Sequence, residues 1–236
     1  MGREIRLHDK TDRPLSLTEI NELSGEPHQY ASSDTPLRED AFDLDDEEKI
    51  SIISGHFRAI MNTLGLDLDD DSLSRTPRRV AAMYVNEIFS GINPANKPEM
   101  ALFDNKFRYN QMLVEKNITV YSNCEHHFVP IIGKAHIAYI SSGKVIGLSK
   151  LNRIVQYYSR RPQVQERLTI QIAQELRSVL ETNDVAVIID AAHLCVSSRG
   201  IKDTASSTVT SEYSGAFLSL ARKEEFLKYL NLNIGG

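Results

Sequence analysis

The sequence predicts an α+β protein whose sheet is largely antiparallel. Two helical patterns come first, two strand patterns follow, and two more helical patterns precede a third strand pattern. A doubly wound parallel sheet would instead alternate strands and helices regularly along the chain. The order of the elements therefore favours segregated helices and strands, in one main domain with appendages.

Residues 1–48 differ from the rest of the chain in charge. They carry 14 acidic and 5 basic residues, whereas residues 49–236 carry 18 acidic and 22 basic ones. Prolines and the acidic run DAFDLDDEE leave no sustained apolar period, so we predict a mobile arm outside the functional part. The mildly basic remainder suits a small anionic ligand better than nucleic acid, which needs dense basic clustering on one face.

Residues 49–111 are predicted to form a helical region. Apolar residues recur at helical spacing from Ile50 onward, and Gly65 provides a left-handed stop for this first helix. A second helix is predicted to have Thr76 as its N-cap and to end near Gly91. Both helices precede the first strand pattern.

Residues 112–236 are predicted to form the catalytic domain. The polar segment SNCEHHFVP separates its first two strand patterns, and Pro162 separates two helical patterns. We predict strands over 112–121, 131–140 and 185–196, and helices over 149–159 and 163–181.

The sequence offers no segment for membrane insertion. It nowhere reaches the roughly 18 consecutive apolar residues of a membrane helix, and the start MGREIRLHDK lacks an apolar signal core. We therefore expect a cytoplasmic protein with no membrane partner. In a reducing compartment its two cysteines are not expected to form a disulfide, which leaves metal binding, catalysis or burial.

Each cysteine has a histidine close by. Cys124 precedes His127 by three residues, a spacing that lets thiolate and imidazole bind one ion across a tight turn. Because side chains alternate along a strand, His193 and Cys195 are predicted to share one strand face. Two thiolates and one imidazole leave a position of Zn²⁺ open for water, whose pKa would fall to roughly 7. Spacing alone does not choose the ligand among His126, His127 and His193.

Four long segments resemble the motif blocks of the type I GTP cyclohydrolase family: DDSLSRTPRRVAAMYVNEIFSG, SNCEHHFVP, VIGLSKLNRIVQYYSRRPQVQERLT and AHLCVSSRGIKD. The resemblance runs from about residue 49 to the C-terminal end. It implies the tunnelling fold, an antiparallel sheet with two long helices on one face, assembled into a homodecamer with sites between subunits. The implied reaction is zinc-dependent hydrolysis of GTP to formate and 7,8-dihydroneopterin triphosphate, the first step of folate and pterin synthesis.

The resemblance also implies the metal ligands. They fall on Cys124, His127 and Cys195, which leaves His126 and His193 for proton transfer.

Substrate binding is implied for further residues. Guanine recognition falls on Gln165 and Glu166. The triphosphate would be bound by polar and basic side chains, with Arg79 supplied by a neighbouring subunit: Ser149, Lys150, Arg153, Arg199 and Arg79. Arg160, Arg161 and Arg167 are interpreted as solvated surface charges.

Two other kinds of protein compete with this interpretation. Another tunnelling-fold enzyme would bind zinc through three histidines, as a pterin synthase does, or use cysteine as a nucleophile, as a nitrile reductase does. A non-catalytic zinc scaffold would normally complete four protein ligands, whereas three are identified here.

Overall fold

The structure is a computed structural model that describes residues 32–232. Everything below belongs to the compact unit Ser33–Gly236. Most of the predicted mobile arm, residues 1–31, lies outside the described residues, and the division at residues 48 and 49 stays a prediction.

Two helices open the described region. Helix α1, Asp46–Thr63, begins with a capping box in which the side chains of Asp45 and Glu48 each accept from the other's backbone N–H. Helix α2, Thr76–Met83, continues as one π-helical turn, Tyr84–Ile88. Thr76 is the first helical residue and Arg75 is the N-cap, so the predicted cap is wrong by one position.

A five-stranded sheet forms the centre of the molecule. Its strands are β2 Met112–Cys124, β3 Pro130–Ile140, β5 Pro162–Gln163, β6 Val185–His193 and β7 Thr208–Tyr213. They lie side by side in the order β5-β2-β3-β6-β7. Every pairing is antiparallel except the short parallel contact of β5 with β2. Two small strands, β1 Leu102–Asp104 and β4 Lys144–Ile146, pair separately.

Two long helices cover one face of this sheet. They are α3, Leu148–Ser159, and α4, Gln165–Leu180. Leu151, Leu168 and Ile172 pack with alternate strand residues such as Val187 and Ile189 into the main core. The prediction of an α+β fold with two helices on one sheet face is therefore confirmed.

A smaller core closes the other face. The 3₁₀ turn Gly215–Leu218 and helix α6, Leu220–Leu230, place Phe217 and Phe226 against Met112 of β2. The ammonium group of Lys116 donates to the carbonyls at the end of α6, including those of Tyr229 and Leu230.

The structure corrects the end of the third predicted strand. Strand β6 stops at His193, and the next four residues form the one-turn helix α5, Leu194–Ser197. Strand β7 and helix α6 were not predicted at all. Among residues 32–232, no helix combines the length and the apolar character needed to cross a membrane.

Candidate metal centre

A tight loop between β2 and β3 presents the first two candidate ligands. The N–H of Cys124 donates to the carbonyl of Val129, and the N–H of Phe128 donates back to the carbonyl of Cys124, each at 2.9 Å. Phe128 has a φ of 54° and packs its ring 4.9 Å from that of Phe89, measured between centroids. The loop that carries His127 is thus fixed to the helical region by its own aromatic residue.

The structure brings the three predicted metal ligands together. The candidate ligand atoms of Cys124, His127 and Cys195 all lie within 4.8 Å of one another. Cys124 is buried, Cys195 is half-buried on α5, and His127 is exposed. Strand β3 connects the two parts of the group. It begins directly after the loop that carries His127, and its residue Ile131 pairs with His193, two residues before Cys195.

The route by which Cys195 reaches the site differs from the prediction. His193 ends a strand and Cys195 lies in the following helical turn, so strand alternation does not place the two side chains on one face. His193 contacts Gln165, whereas Cys195 lies with Cys124 and His127.

The pKa shifts within the group favour a neutral His127 imidazole but a protonated Cys195 thiol. Burial, and next the nearby Cys124, raise the pKa of the Cys195 thiol. Burial lowers the pKa of His127, and Arg199 and His126 lower it further. The Arg199 guanidinium lies 3.0 Å from Nε2 of His127. A bound divalent cation would favour both thiolates and the neutral imidazole, which is the donor state that metals require.

His126 lies beside the ligand group. Its Nδ1 is 3.6 Å from the sulfur of Cys124. The carboxylate of the preceding residue, Glu125, lies between two side chains. One of its oxygens is 3.8 Å from Nε2 of His126, and the other forms an ion pair with Arg167.

His193 is held by Gln165. The amide nitrogen of Gln165 donates to the carbonyls of Ile189 and Thr208 and to the hydroxyl of Thr210. Its amide oxygen therefore faces Nε2 of His193, at 2.7 Å, and accepts the proton of that nitrogen. This tautomer leaves Nδ1 of His193 as the nitrogen without a proton.

The two residues predicted to recognise guanine differ in exposure. Gln165 is buried and its side chain is engaged by His193 and two strands. Glu166 is exposed in the first turn of α4. Burial lowers the pKa of His193, and the Glu166 carboxylate partly opposes this shift. Both residues therefore adjoin the site, while their contact with substrate stays a prediction.

The predicted triphosphate residues are only partly assembled. Arg199 adjoins His127, as described. Ser149, Lys150 and Arg153 lie on the first turns of α3, and Arg153 lines a cleft of about 430 Å³. Within residues 32–232, no hydrogen bond or ion pair joins these three or Arg79 to the metal-ligand group.

Sequence reasoning missed Arg167. It was interpreted as a solvated charge, but its side chain is only 4% exposed. Arg167, Gln171 and Glu175 recur every four residues beside the apolar stripe of α4, and all three are buried. That spacing was the available signal, since a polar row at helical period along an apolar face points to a buried network.

An antiparallel sheet backed by two helices, with two thiols and an imidazole gathered at one end of it, defines an α+β protein with a three-donor group suited to a metal ion. Residues 53–231 match the family model of GTP cyclohydrolase I. The chain belongs to the GTP cyclohydrolase I family, and the enzyme class that the sequence predicted is confirmed.

Named relatives support this assignment over most of the chain. GTP cyclohydrolase 1 of Flavobacterium johnsoniae is 62% identical over 209 residues, which is 89% of this chain and 94% of that protein. The GTP cyclohydrolase 1 proteins of Erwinia tasmaniensis and Salmonella arizonae are 52% and 53% identical over 196 residues, 83% of this chain. These alignments cover 89% and 88% of those two proteins.

Proposed function

We propose that this protein hydrolyses GTP to formate and 7,8-dihydroneopterin triphosphate, with Zn²⁺ held by Cys124, His127 and Cys195. The observation that carries the proposal is the convergence of these three ligand atoms within 4.8 Å, in a chain of this family. The reaction begins the synthesis of folate and other pterins.

The donor set fits zinc. Zn–S bonds of about 2.3 Å and Zn–N bonds of about 2.0–2.1 Å in a tetrahedron place two sulfurs and one nitrogen roughly 3.5–3.8 Å apart. The spacing in the structure is compatible with that geometry after a small closure. Three protein ligands with a free fourth position are typical of a catalytic site. When bound, Zn²⁺ would supply a Lewis acid and lower the pKa of a coordinated water.

The chain's own residues would manage the protons. His126, which lies beside Cys124, would give a proton to a purine nitrogen as the imidazole ring of guanine opens. His193, whose Nε2 is bonded to Gln165, would exchange a proton with the ribose oxygen before the rearrangement. Glu166 would accept from N1–H and the 2-amino group of guanine, a pair of donors that a carboxylate matches.

The triphosphate would be bound across a subunit boundary. Arg199 adjoins the ligand group, while Ser149, Lys150 and Arg153 would supply charge and hydrogen bonds from α3. Arg79 lies on α2 without contact to the ligand group of its own chain, which agrees with its supply by a neighbouring subunit.

Two open sheet edges support a homo-oligomer, which we propose to be a decamer. Among the described residues, β7 pairs only with β6, and β2 meets β5 only at Asn123 and Cys124. The outer edges of β2 and β7 therefore carry unpaired backbone groups that a second copy of the sheet can pair. We propose a cytoplasmic location, because a reducing compartment keeps both thiols available for metal.

The experiment incubates zinc-loaded protein with GTP and measures formate together with the fluorescent pterin that appears after oxidation. We expect both products in equal amounts, and neither after zinc is removed by a chelator. A fully zinc-loaded protein that forms no product would exclude the proposed reaction and favour a zinc scaffold.

Single substitutions test the assigned roles. Cys195→Ala should abolish both zinc binding and turnover, because one of three ligands is lost. His126→Ala should retain zinc and lose most of the turnover, about 10²–10⁴-fold for a proton-transfer group. Loss of zinc in His126→Ala with zinc retained in His127→Ala would show that the ligand assignment is wrong.

A further inference from the structure

Arg167 is a buried cation that reaches the metal-ligand loop from helix α4. Its Nη2 donates to the carboxylate of Glu125 and, at 2.8 Å, to the carbonyl of Pro162. Its Nε donates to the side chain of Gln163 at 3.0 Å. A guanidinium presents its donors in a rigid planar fork, so these contacts fix both the position and the direction of the side chain.

The carboxylate that accepts from the Arg167 guanidinium belongs to the ligand loop itself. Glu125 stands between Cys124 and His126, and its side chain is 21% exposed. Its backbone N–H donates to the carbonyl of Gln163 at 3.0 Å. The loop is therefore attached to one short segment of chain by its backbone and to α4 by the Glu125 carboxylate.

The same end of α4 also holds the opposite side of the site. Gln165, two residues before Arg167, binds His193 directly. The first turn of one helix thus contacts the loop that carries Cys124 and His127 and also the end of the strand before Cys195. A general structural ion pair elsewhere on α4, such as Arg177 with Glu212, has no such connection.

We propose that Arg167 is a positioning residue that sets the geometry of the metal-ligand loop through Glu125. This inference rests on the proposed zinc site, and it adds a residue that touches neither metal nor substrate. Removing the guanidinium releases the Glu125 carboxylate from α4, so the ligand loop keeps its backbone attachments but loses the one that fixes its side toward α4, and metal binding must supply the missing order. Outer partners of this kind typically change metal affinity by about 10–100-fold.

The test compares zinc affinity and kinetics in full-length protein. Arg167→Met keeps much of the buried volume and removes the charge, Arg167→Lys keeps the charge without the fork, and Arg177→Met is the matched control on the same helix. Zinc affinity is measured without GTP, by competition with a chromophoric chelator, and kcat and KM for GTP are then measured at saturating zinc.

We expect Arg167→Met to bind zinc about 10–100-fold more weakly than the wild type, with Arg167→Lys in between. At saturating zinc kcat should fall while KM changes little, because the loop carries His126 and lacks the proposed guanine contact. Arg177→Met should match the wild type in zinc affinity. A folded Arg167→Met protein with wild-type zinc affinity and kcat would overturn the inference.

A second variant covers the case in which Arg167→Met does not fold. Glu125→Gln keeps the shape of the acceptor and removes its charge, so it should weaken zinc binding in the same direction. Wild-type zinc affinity in Glu125→Gln would overturn the inference as well. Failure of the wild type itself to bind zinc would instead contradict the proposed function, so the two failures are distinguishable.

Discussion

The orientation of the His193 imidazole depends on a single amide. Gln165→Leu removes the oxygen that accepts from Nε2 of His193, while the side-chain volume is largely kept. We expect kcat for GTP to fall about 10–100-fold with zinc content unchanged, because His193 would lose its fixed tautomer. Turnover and bound zinc are measured on the same sample.

Thr210→Val is the control for this prediction. It removes one of three oxygens that accept from the Gln165 amide nitrogen but leaves the contact with His193. A kcat loss in Thr210→Val as large as in Gln165→Leu would assign the effect to lost packing at the start of α4.

His136 lies away from the metal-ligand group and makes the stability of the folded protein depend on pH. It is half-buried, its Nδ1 accepts from the N–H of Asn117, and burial lowers its pKa, with Asp190 and Lys116 acting in opposite directions. The unfolded chain therefore binds more protons, and stability is lost as pH falls below about 6.5.

The variant His136→Gln, whose amide oxygen can still accept from Asn117, should lose less Tm between about pH 7.5 and about pH 5.5 than the wild type. Thermal unfolding of both proteins across this range is the measurement. Equal losses of Tm would show that His136 does not contribute.

The ligand residues of the metal group were predictable from the sequence, but the contacts that hold the ligand loop in position were not. Two cysteines, each near a histidine, already indicate a metal site, and the structure gathers Cys124, His127 and Cys195. The partners Glu125 and Arg167 are 42 residues apart, and local charge patterns favour solvated positions for both. A contact of that range depends on how α4 crosses the sheet, which a sequence pattern does not encode.

At the level of elements, the helical region meets α3 through Gly91. Its N–H donates to the carbonyl of Arg160 at 2.9 Å, and a Cβ at this position would overlap the carbonyl oxygen of Tyr157. Gly91→Ala should therefore destabilise the protein by about 1–3 kcal/mol through overpacking. A Tm several degrees below the wild type is expected in calorimetry.

Gly55→Ala serves as the matched glycine control. Gly55 is exposed within α1, and a Cβ there meets nothing within 4 Å. Alanine should raise stability by about 0.5–1 kcal/mol, because it lowers the backbone entropy of the unfolded chain. Equal effects of the two substitutions would contradict the close approach at Gly91.

Elements with a strong periodic pattern were the predictable ones. Strands β2 and β3 and helices α3 and α4 lie within a few residues of their predicted bounds. Strand β7 escaped prediction because most of its residues are polar or exposed, so it has no clear alternation. The helical turn after His193 was missed because Leu194, Cys195 and Val196 continue an apolar run that a strand would also favour.

At the scale of the whole molecule, the predicted supply of Arg79 by a neighbour can be tested by mixing subunits. Arg79→Ala and His193→Ala should each be nearly inactive as pure proteins. In equal mixtures formed by co-expression, about one quarter of the sites would combine an intact His193 with an intact Arg79 from the adjacent subunit.

Recovery of GTP turnover near that fraction would support shared sites. No recovery in assemblies shown to be mixed would mean that Arg79 and His193 act within the same subunit. Mass measurement of the intact assembly confirms the mixing and counts the subunits.

The smaller core has a consequence for how the protein is made. It joins Met112 to Phe217 and Phe226, and Lys116 reaches a carbonyl 113 residues further along the chain. These contacts cannot form until helix α6 has left the ribosome. Until then the growing chain exposes the apolar side chains of this sheet face, the kind of surface that makes incompletely folded chains prone to aggregate.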